Sequence, residues 1–407
     1  MAIWATPLPC RCSTKVKNKA TALKILVLTS RFPYPLEKGD KLRAYYQIKE
    51  LSRYHSVHVV SISDENPDKS SLEAVRIICD GLHLIRITPL ERYLSLMGAA
   101  VNGLPFQVAW FYSPSAHKIM EGIIDEINPD HIYCQLARMA QYVRKFRLPK
   151  SLDYMDSFGV GMKRRAAVAR GLASLIYRVE AGRMIKYEQD IASDFDNLII
   201  ISEQDKAQLD FPDANKIRVV SNGVSETFFG YSRKAEKTCD LLFVGNMGYL
   251  PNIEAAEFLV REVLPRCGPN IRVKIAGANP SPRVLTLRSP EVEVTGWLDD
   301  IREAYATGRI FIAPIWSGTG QQNKILEAMA IGMPCITTDS VNNAIGAMPG
   351  KDIMIASSAE EFAQAAAMLL SNAGRFEEMS RRSVEFAKQN FSWEQNGKVL
   401  SDIFAGK

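Results

Sequence analysis

Two doubly wound α/β domains are the fold class that this 407-residue sequence predicts, on three observations. The chain is longer than one hydrophobic core usually serves, which makes two domains the default. Short apolar runs of strand length alternate with segments of helical period, the order that builds parallel sheets. That alternation stops at a charged, aperiodic stretch, Tyr231 to Lys237, and then begins again.

The elements follow in order. Lys24-Ile25-Leu26-Val27-Leu28-Thr29-Ser30 reads as a parallel strand, because its apolar run is continuous rather than alternating. A loop containing Pro33, Pro35 and Gly39 follows, then a helix from about Asp40 to Leu51. His58–Ile62, Leu84–Ile87, His131–Cys134 and Leu198–Ile201 are the next strands, and Asn222-Gly223 marks a turn. The second half opens with a strand at Asp240–Gly245 and a helix at about Ile253–Val263. Strands Arg272–Gly277, Val292–Gly296 and Ile310–Ala313 complete the repeat of the pattern. Two such halves are expected to face a cleft, with ligands at the carboxyl ends of the strands.

Composition excludes several classes. Hydrophobic content of 47% with 23% charged is ordinary for a soluble globular protein. No apolar stretch approaches the roughly 18 residues of a membrane span. A net charge of +5 is too slight to point to nucleic acid. The seven cysteines (Cys10, Cys12, Cys79, Cys134, Cys239, Cys267 and Cys335) lack zinc-ligand spacing, and their odd, dispersed arrangement predicts a reducing cytoplasm. Residues 1–21 carry Arg11, Lys15, Lys17 and Lys19, no acid and no apolar centre. They do not read as a secretory signal, and a disordered basic extension is expected.

One run carries most of the chemistry: Gly318-Thr319-Gly320-Gln321-Gln322-Asn323-Lys324-Ile325-Leu326-Glu327, continuing to Gly332-Met333-Pro334 and the strand Cys335–Thr338. It reads as a glycine-rich loop after a buried strand, then a short helix ended by Gly and Pro. Backbone amides and the helix dipole at such a place receive phosphate. The Glu327 carboxylate can accept two hydroxyl donors, as the diol of a ribose offers. It can equally be a solvated glutamate favoured by the dipole. Lys324 near a helix N-terminus is unfavourable unless an anion is present, so it reads as a diphosphate ligand or as a surface lysine.

This run closely resembles the nucleotide-sugar motif of family 4 glycosyltransferases of the GT-B fold, and the resemblance extends from about Leu23 to Trp393. It implies two Rossmann-like domains: residues 22–230 binding the acceptor and 238–388 binding a nucleotide-sugar. Residues 389–407, with Phe391-Ser392-Trp393-Glu394 at the start, resemble the family's helix returning to the first domain. Glu327 would hold the ribose, and Gly318, Thr319, Gly320, Gln321 and Gln322 the diphosphate and sugar, with Lys324 balancing charge. Gly245 and Asn246 would line the same donor site, and Gly296-Trp297-Leu298 resembles the base-binding turn, although Trp297 also reads as a core residue.

In the first half, Pro35 to Arg43 resembles the family's Gly-Gly-x-x-Arg loop, with Asp40 at the second Gly. Gly39 and Asp40 would then meet the transferred sugar. Gln135 stands where many members have His; it can hydrogen-bond but not titrate. Arg43, Arg138 and Asp156 are the expected acceptor contacts. The chain departs from the family pattern at Thr319, where a Glu is usual, and in Gly245–Asn252, which lacks the usual Arg and Lys. Lys163 to Lys186, with seven cations against Glu180 and Glu188, reads as one basic amphipathic helix. It suits an anionic membrane surface or a solvated face.

The function these readings predict is a retaining, metal-independent transfer of a sugar from a nucleotide-diphosphate donor, a co-substrate rather than a cofactor. The acceptor would be a saccharide or polyprenyl-linked saccharide of polysaccharide biosynthesis, and no nucleic acid partner is expected. The location would be cytoplasmic or peripheral on the inner face of the plasma membrane. A weakened pseudo-enzyme, a nucleotide-sugar-binding protein and a GT-B epimerase are the alternatives.

Overall fold

A computed structural model describes residues 22–64, 66–231, 236–317 and 320–406. The expected basic extension 1–21 lies outside the described residues, as do Gly318 and Thr319 and much of the stretch read as a linker. Two compact units appear. The first runs to Ser221 and resumes at Trp393; the second is Asn222–Ser392.

The first unit holds a seven-stranded sheet: β1 (Lys24–Thr29), β2 (Ser56–Ser63), β3 (Gly81–Arg86), β4 (His131–Gln135), β5 (Lys150–Asp153), β6 (Asn197–Ile200) and β7 (Arg218–Val219). Its order is β3-β2-β1-β4-β5-β6-β7, with every pair parallel. β1 is central, pairing Leu26 with His58 on one side and with Ile132 on the other. Its residues alternate between two cores. Leu26 and Leu28 enter one cluster, while Ile25 and Val27 enter the cluster on the opposite face. That double burial is why the strand reads as a continuous apolar run.

The second unit holds β8 (Cys239–Val244), β9 (Val273–Ala276), β10 (Val292–Val294), β11 (Gly308–Ala313), β12 (Cys335–Thr337) and β13 (Met354–Ile355). The order is β10-β9-β8-β11-β12-β13, again wholly parallel. In both sheets strand order reverses once, beside β1 and beside β8. These are the two topological switch points, and ligands of doubly wound sheets bind there.

The helix Trp393–Phe404 belongs to the first unit. Trp393 stacks on Tyr46 at 4.9 Å and Phe404 on His131 at 4.5 Å. Between them the helix approaches so closely that a Cβ on Gly397 would stand 2.4 Å from Glu50 Cβ.

The basic segment differs from expectation. It is not one helix but two, Phe158–Val168 and Leu172–Ala192, separated at Ala169 to Gly171, where Gly171 takes φ 60°. The first half buries Met162 and Ala166 and the second Ala181 and Met184, so each has its own core face. Glu180 and Glu188 are not surface counter-charges. Glu180 accepts the backbone N–H groups of Phe106 and Gln107 (2.9 and 2.8 Å). Glu188 accepts Phe158 N–H (2.8 Å) and the Ser157 hydroxyl (3.0 Å). Each carboxylate thereby takes up orphan donors at the start of another helix.

Candidate functional sites at the two switch points

In the second unit the switch point lies between the loop after β8 and the loop after β11. The helix Asn323–Ile331 starts on the latter, and among the described residues no side chain caps it. Gly320 adopts φ 70°, a left-handed conformation that glycine takes without strain. Gln321 is buried, and its amide closes a two-way bridge with the Asn222 backbone, accepting at 3.0 Å and donating at 3.1 Å. Its side chain therefore braces the loop, and Gln322 follows as the half-buried residue before the helix.

Lys324 and Glu327 occupy the first turns of that helix, half-buried. The Lys324 ammonium donates to Asn252 Oδ1 at 2.5 Å and sits 5.1 Å from the centre of the Phe243 ring. Asn252 in turn donates to the Asn246 carbonyl at 2.9 Å. A Cβ on Gly245 would stand 2.7 Å from Asn252 Nδ2 and 3.1 Å from Lys324 Nζ, so the glycine leaves room for both. Burial lowers the Lys324 ammonium to about 8, with Glu327 opposing. Burial likewise raises the Glu327 carboxyl, against the Tyr305 hydrogen bond and Lys324. Tyr305 Oη donates to Glu327 Oε2 at 2.9 Å.

The ends of β9 and β10 complete the rim. Gly277 has φ 132°, and a Cβ there would stand 2.0 Å from the Gly245 carbonyl oxygen, so the ends of β9 and β8 touch through backbone alone. Gly277 N–H donates to Thr295 Oγ1 at 3.3 Å. Gly296 faces open space, Leu298 packs partly against the core, and Trp297 is 59% exposed with its indole N–H on Asp299 at 3.1 Å. The core reading of Trp297 is thus excluded. Sequence reasoning did not single out Asn252, Tyr305 or Gly277. Signals were present: an asparagine in the first turn of an apolar helix, a tyrosine between two alanines, and a strand-ending glycine.

The switch point of the first unit gathers several charged and polar side chains. Asp40 lies in the first turn of the helix Gly39–Leu51. Its Oδ2 accepts from Arg31 at 2.5 Å and Arg138 at 3.2 Å, while its carbonyl accepts from Gln135 Nε2 at 3.0 Å. Arg138 also donates twice to Ser30 Oγ (2.8 and 3.1 Å) and lies 4.2 Å from the Phe111 ring. Burial pulls its guanidinium down to about 10 despite Asp40. Asp156 follows a γ-turn in which Met155 has φ 63° and Asp156 N–H meets the Tyr154 carbonyl at 2.8 Å. Burial, then the nearby Asp205, raises the Asp156 carboxyl to about 6. A Cβ on Gly39 would lie 3.2 Å from Met155 Cε, so that loop adjoins the turn.

Arg43 corrects the sequence reading. It is fully buried, with Nε on Asp153 Oδ2 at 2.7 Å; Gln47 Nε2 and Tyr133 Oη reach the same oxygen at 3.2 and 2.6 Å. It cannot touch an acceptor. Its helix is amphipathic, and position 43 falls on the core face with Ala44, Gln47 and Ile48.

Two parallel sheets with matched switch points define a GT-B protein, and solved structures of that fold superpose over nearly the whole chain. A sucrose-phosphate synthase from Thermosynechococcus elongatus aligns with TM-score 0.70 at 15% identity, covering 94% of this chain and 100% of that one. HepE of Anabaena, in complex with UDP and glucose, aligns with TM-score 0.69 at 13% identity, covering 95% and 100%. Residues 238–372, within the second unit, match the family model described as Glycosyl transferases group 1. An uncharacterized 44.6 kDa protein in the cps region of Klebsiella pneumoniae is 24% identical over 402 residues, covering 94% of this chain and 99% of that protein. Together these matches support a family 4-like sugar transferase of GT-B fold.

The Arg43 correction has a direct check. Arg43→Ala leaves the buried Asp153 carboxylate uncompensated and is expected to destabilise by about 3–5 kcal/mol in urea unfolding. Pairing it with Asp153→Ala should restore part of that loss. Unchanged stability in the single variant would return Arg43 to the surface and to a ligand.

Proposed function

We propose that this protein transfers a sugar from a nucleotide-diphosphate donor to a saccharide or lipid-linked saccharide acceptor in polysaccharide biosynthesis. The observation that carries the reading is the pairing at one helix start: an ammonium held by a neutral amide, three residues before a carboxylate. Lys324, the uncapped helix amides and the Gly318-Thr319-Gly320 loop would receive the diphosphate. Glu327 would take the ribose diol, and the Gly296-Trp297-Leu298 turn the base. Support for the setting comes from the cps-region relative and from WaaG, a glycosyltransferase involved in lipopolysaccharide biosynthesis (TM-score 0.63, 14% identity).

In this reading the sugar's anomeric carbon parts from the phosphate oxygen, and the acceptor hydroxyl oxygen bonds to it on the same face. The hydroxyl proton goes to the leaving phosphate oxygen, which gives retention without an enzymic nucleophile. Lys324 and the amides stabilise the departing diphosphate in place of a protein-bound metal. Gly39, Asp40 and Gln135 would contact the sugar, Arg138 and Asp156 the acceptor.

A peripheral membrane position fits two exposed apolar stripes on the first unit. One is on the helix Pro89–Asn102, where Met97 is 71% and Val101 91% exposed beside Leu90, Tyr93 and Leu94. The other comprises Val168, Leu172, Leu175, Ile176 and Val179 of the basic hairpin. Arg183 donates to the Ala99 carbonyl at 3.1 Å, which joins the two helices. Lys163, Arg164, Arg165, Arg170, Arg178 and Lys186 of the same hairpin are exposed, and a surface for anionic lipid needs such cations. Among the described residues no helix is long and apolar enough to cross a membrane.

Thermal unfolding with UDP, GDP, ADP and CMP tests the donor site. One nucleotide at about 100 times its dissociation constant should add roughly 2.7 kcal/mol, and much less in Glu327→Ala and Lys324→Ala. No shift with any of them would overturn the reading; a shift without sugar transfer would favour a binding protein. The same affinity should fall as pH rises through about 8, because the Lys324 ammonium then loses its proton. Lys324→Met should remove that pH dependence. For the membrane face, flotation with phosphatidylglycerol vesicles should capture the protein at low salt. Neutral vesicles should not, and Met97→Glu with Leu172→Glu should abolish capture.

A further inference from the structure

Tyr305 belongs to the helix Ile301–Thr307, which begins directly after the Gly296-Trp297-Leu298 turn. It is fully buried, held between Phe228 (ring centres 6.0 Å apart) and Phe311 (5.7 Å). Its hydroxyl therefore has little freedom. That hydroxyl lies 2.9 Å from Glu327 Oε2 and 3.2 Å from the main-chain oxygen of Lys324. Burial, then Glu327, raises the phenol well above its ordinary range, so it stays a proton donor. Among the described residues Glu327 Oε1 accepts no hydrogen bond. One carboxylate oxygen is thus fixed by the protein and the other left for a ligand.

We infer that Tyr305 is the positioning residue of the donor site, orienting the Glu327 carboxylate for the ribose and tying the base-side helix to the diphosphate-side helix. The inference rests on the donor reading above. A carboxylate on a flexible stem must otherwise be ordered when the nucleotide binds, at a cost in affinity. Tyr305 also engages the residue that follows the phosphate loop, so loosening it disturbs ribose and diphosphate contacts together. It touches neither ligand nor reacting atoms, and acts only through Glu327 and the Lys324 backbone.

The test is a comparison of UDP, GDP and ADP with their 2′-deoxy counterparts by calorimetry, on the wild type and on Tyr305→Phe. In the wild type, loss of the 2′-hydroxyl should weaken binding of the preferred nucleotide about tenfold, the scale of one hydrogen bond to a charged group. Tyr305→Phe should bind the ribonucleotide about tenfold more weakly, and its 2′-deoxy penalty should shrink to about twofold or less. In steady-state transfer, KM for the donor should rise while kcat stays within about twofold. Because the substitution removes only a hydroxyl, folding is checked by an unchanged circular dichroism spectrum. Glu327→Gln gives the independent arm, since in that background Tyr305→Phe should have no further effect. A full deoxy penalty in Tyr305→Phe, or additive losses in the double variant, would overturn the inference while leaving the donor site standing. A wild type that binds no nucleotide, or ignores the 2′-hydroxyl, would sink the donor reading itself.

Discussion

Reversal of strand order is the constraint on which both sites depend. Beside β1 and beside β8 the crossover helices depart to opposite faces of the sheet, so a gap opens at the carboxyl edge. Peptide groups that end strands there still need partners. The two units solve this differently. In the first, two arginines converge on the Asp40 carboxylate, so each cation already has an anionic partner within the protein. In the second, the Lys324 ammonium bridges the gap to a neutral amide, Asn252. Its direct hydrogen-bond partner carries no charge, although Glu327 acts on it electrostatically.

Much of this was legible in the sequence because it depends on local pattern. Strand-length apolar runs, the motif helix with its Gly-Met-Pro stop, and the aromatic start of the last helix all declare themselves within a few residues. Arg43 does not. Nothing near it in sequence reveals Asp153, which is 110 residues away, and a polar residue on a core face breaks the pattern used to find that face. Glu180 and Glu188 misled for the same reason: their partners, Phe106 and Phe158, belong to other helices. Tyr305 and Asn252 each meet a side chain of the distant helix Asn323–Ile331, which their own neighbours in sequence do not reveal.

The buried Arg43–Asp153 pair gains little as an ion pair, since desolvating two charges offsets most of their attraction. Its contribution is geometric. With Gln47 and Tyr133 on the same oxygen, it fixes which face the helix Gly39–Leu51 turns to the sheet. That orientation in turn holds Gly39 and Asp40 at the strand ends. The residue wrongly assigned to the acceptor thus supports, from one turn away, those that remain candidates.

The return of the last helix has a consequence for how the molecule is made. Asn222–Ser392 is a continuous segment whose ends meet, Val224 N–H donating to the Phe391 carbonyl at 2.8 Å. The first unit is split, and its core includes Leu400, Ile403 and Phe404. In chain order the sequence of the second unit is therefore complete before the helix that closes the first. Until that helix docks, the apolar surface that Phe404 packs on, beside the ring of His131, has nothing to cover it.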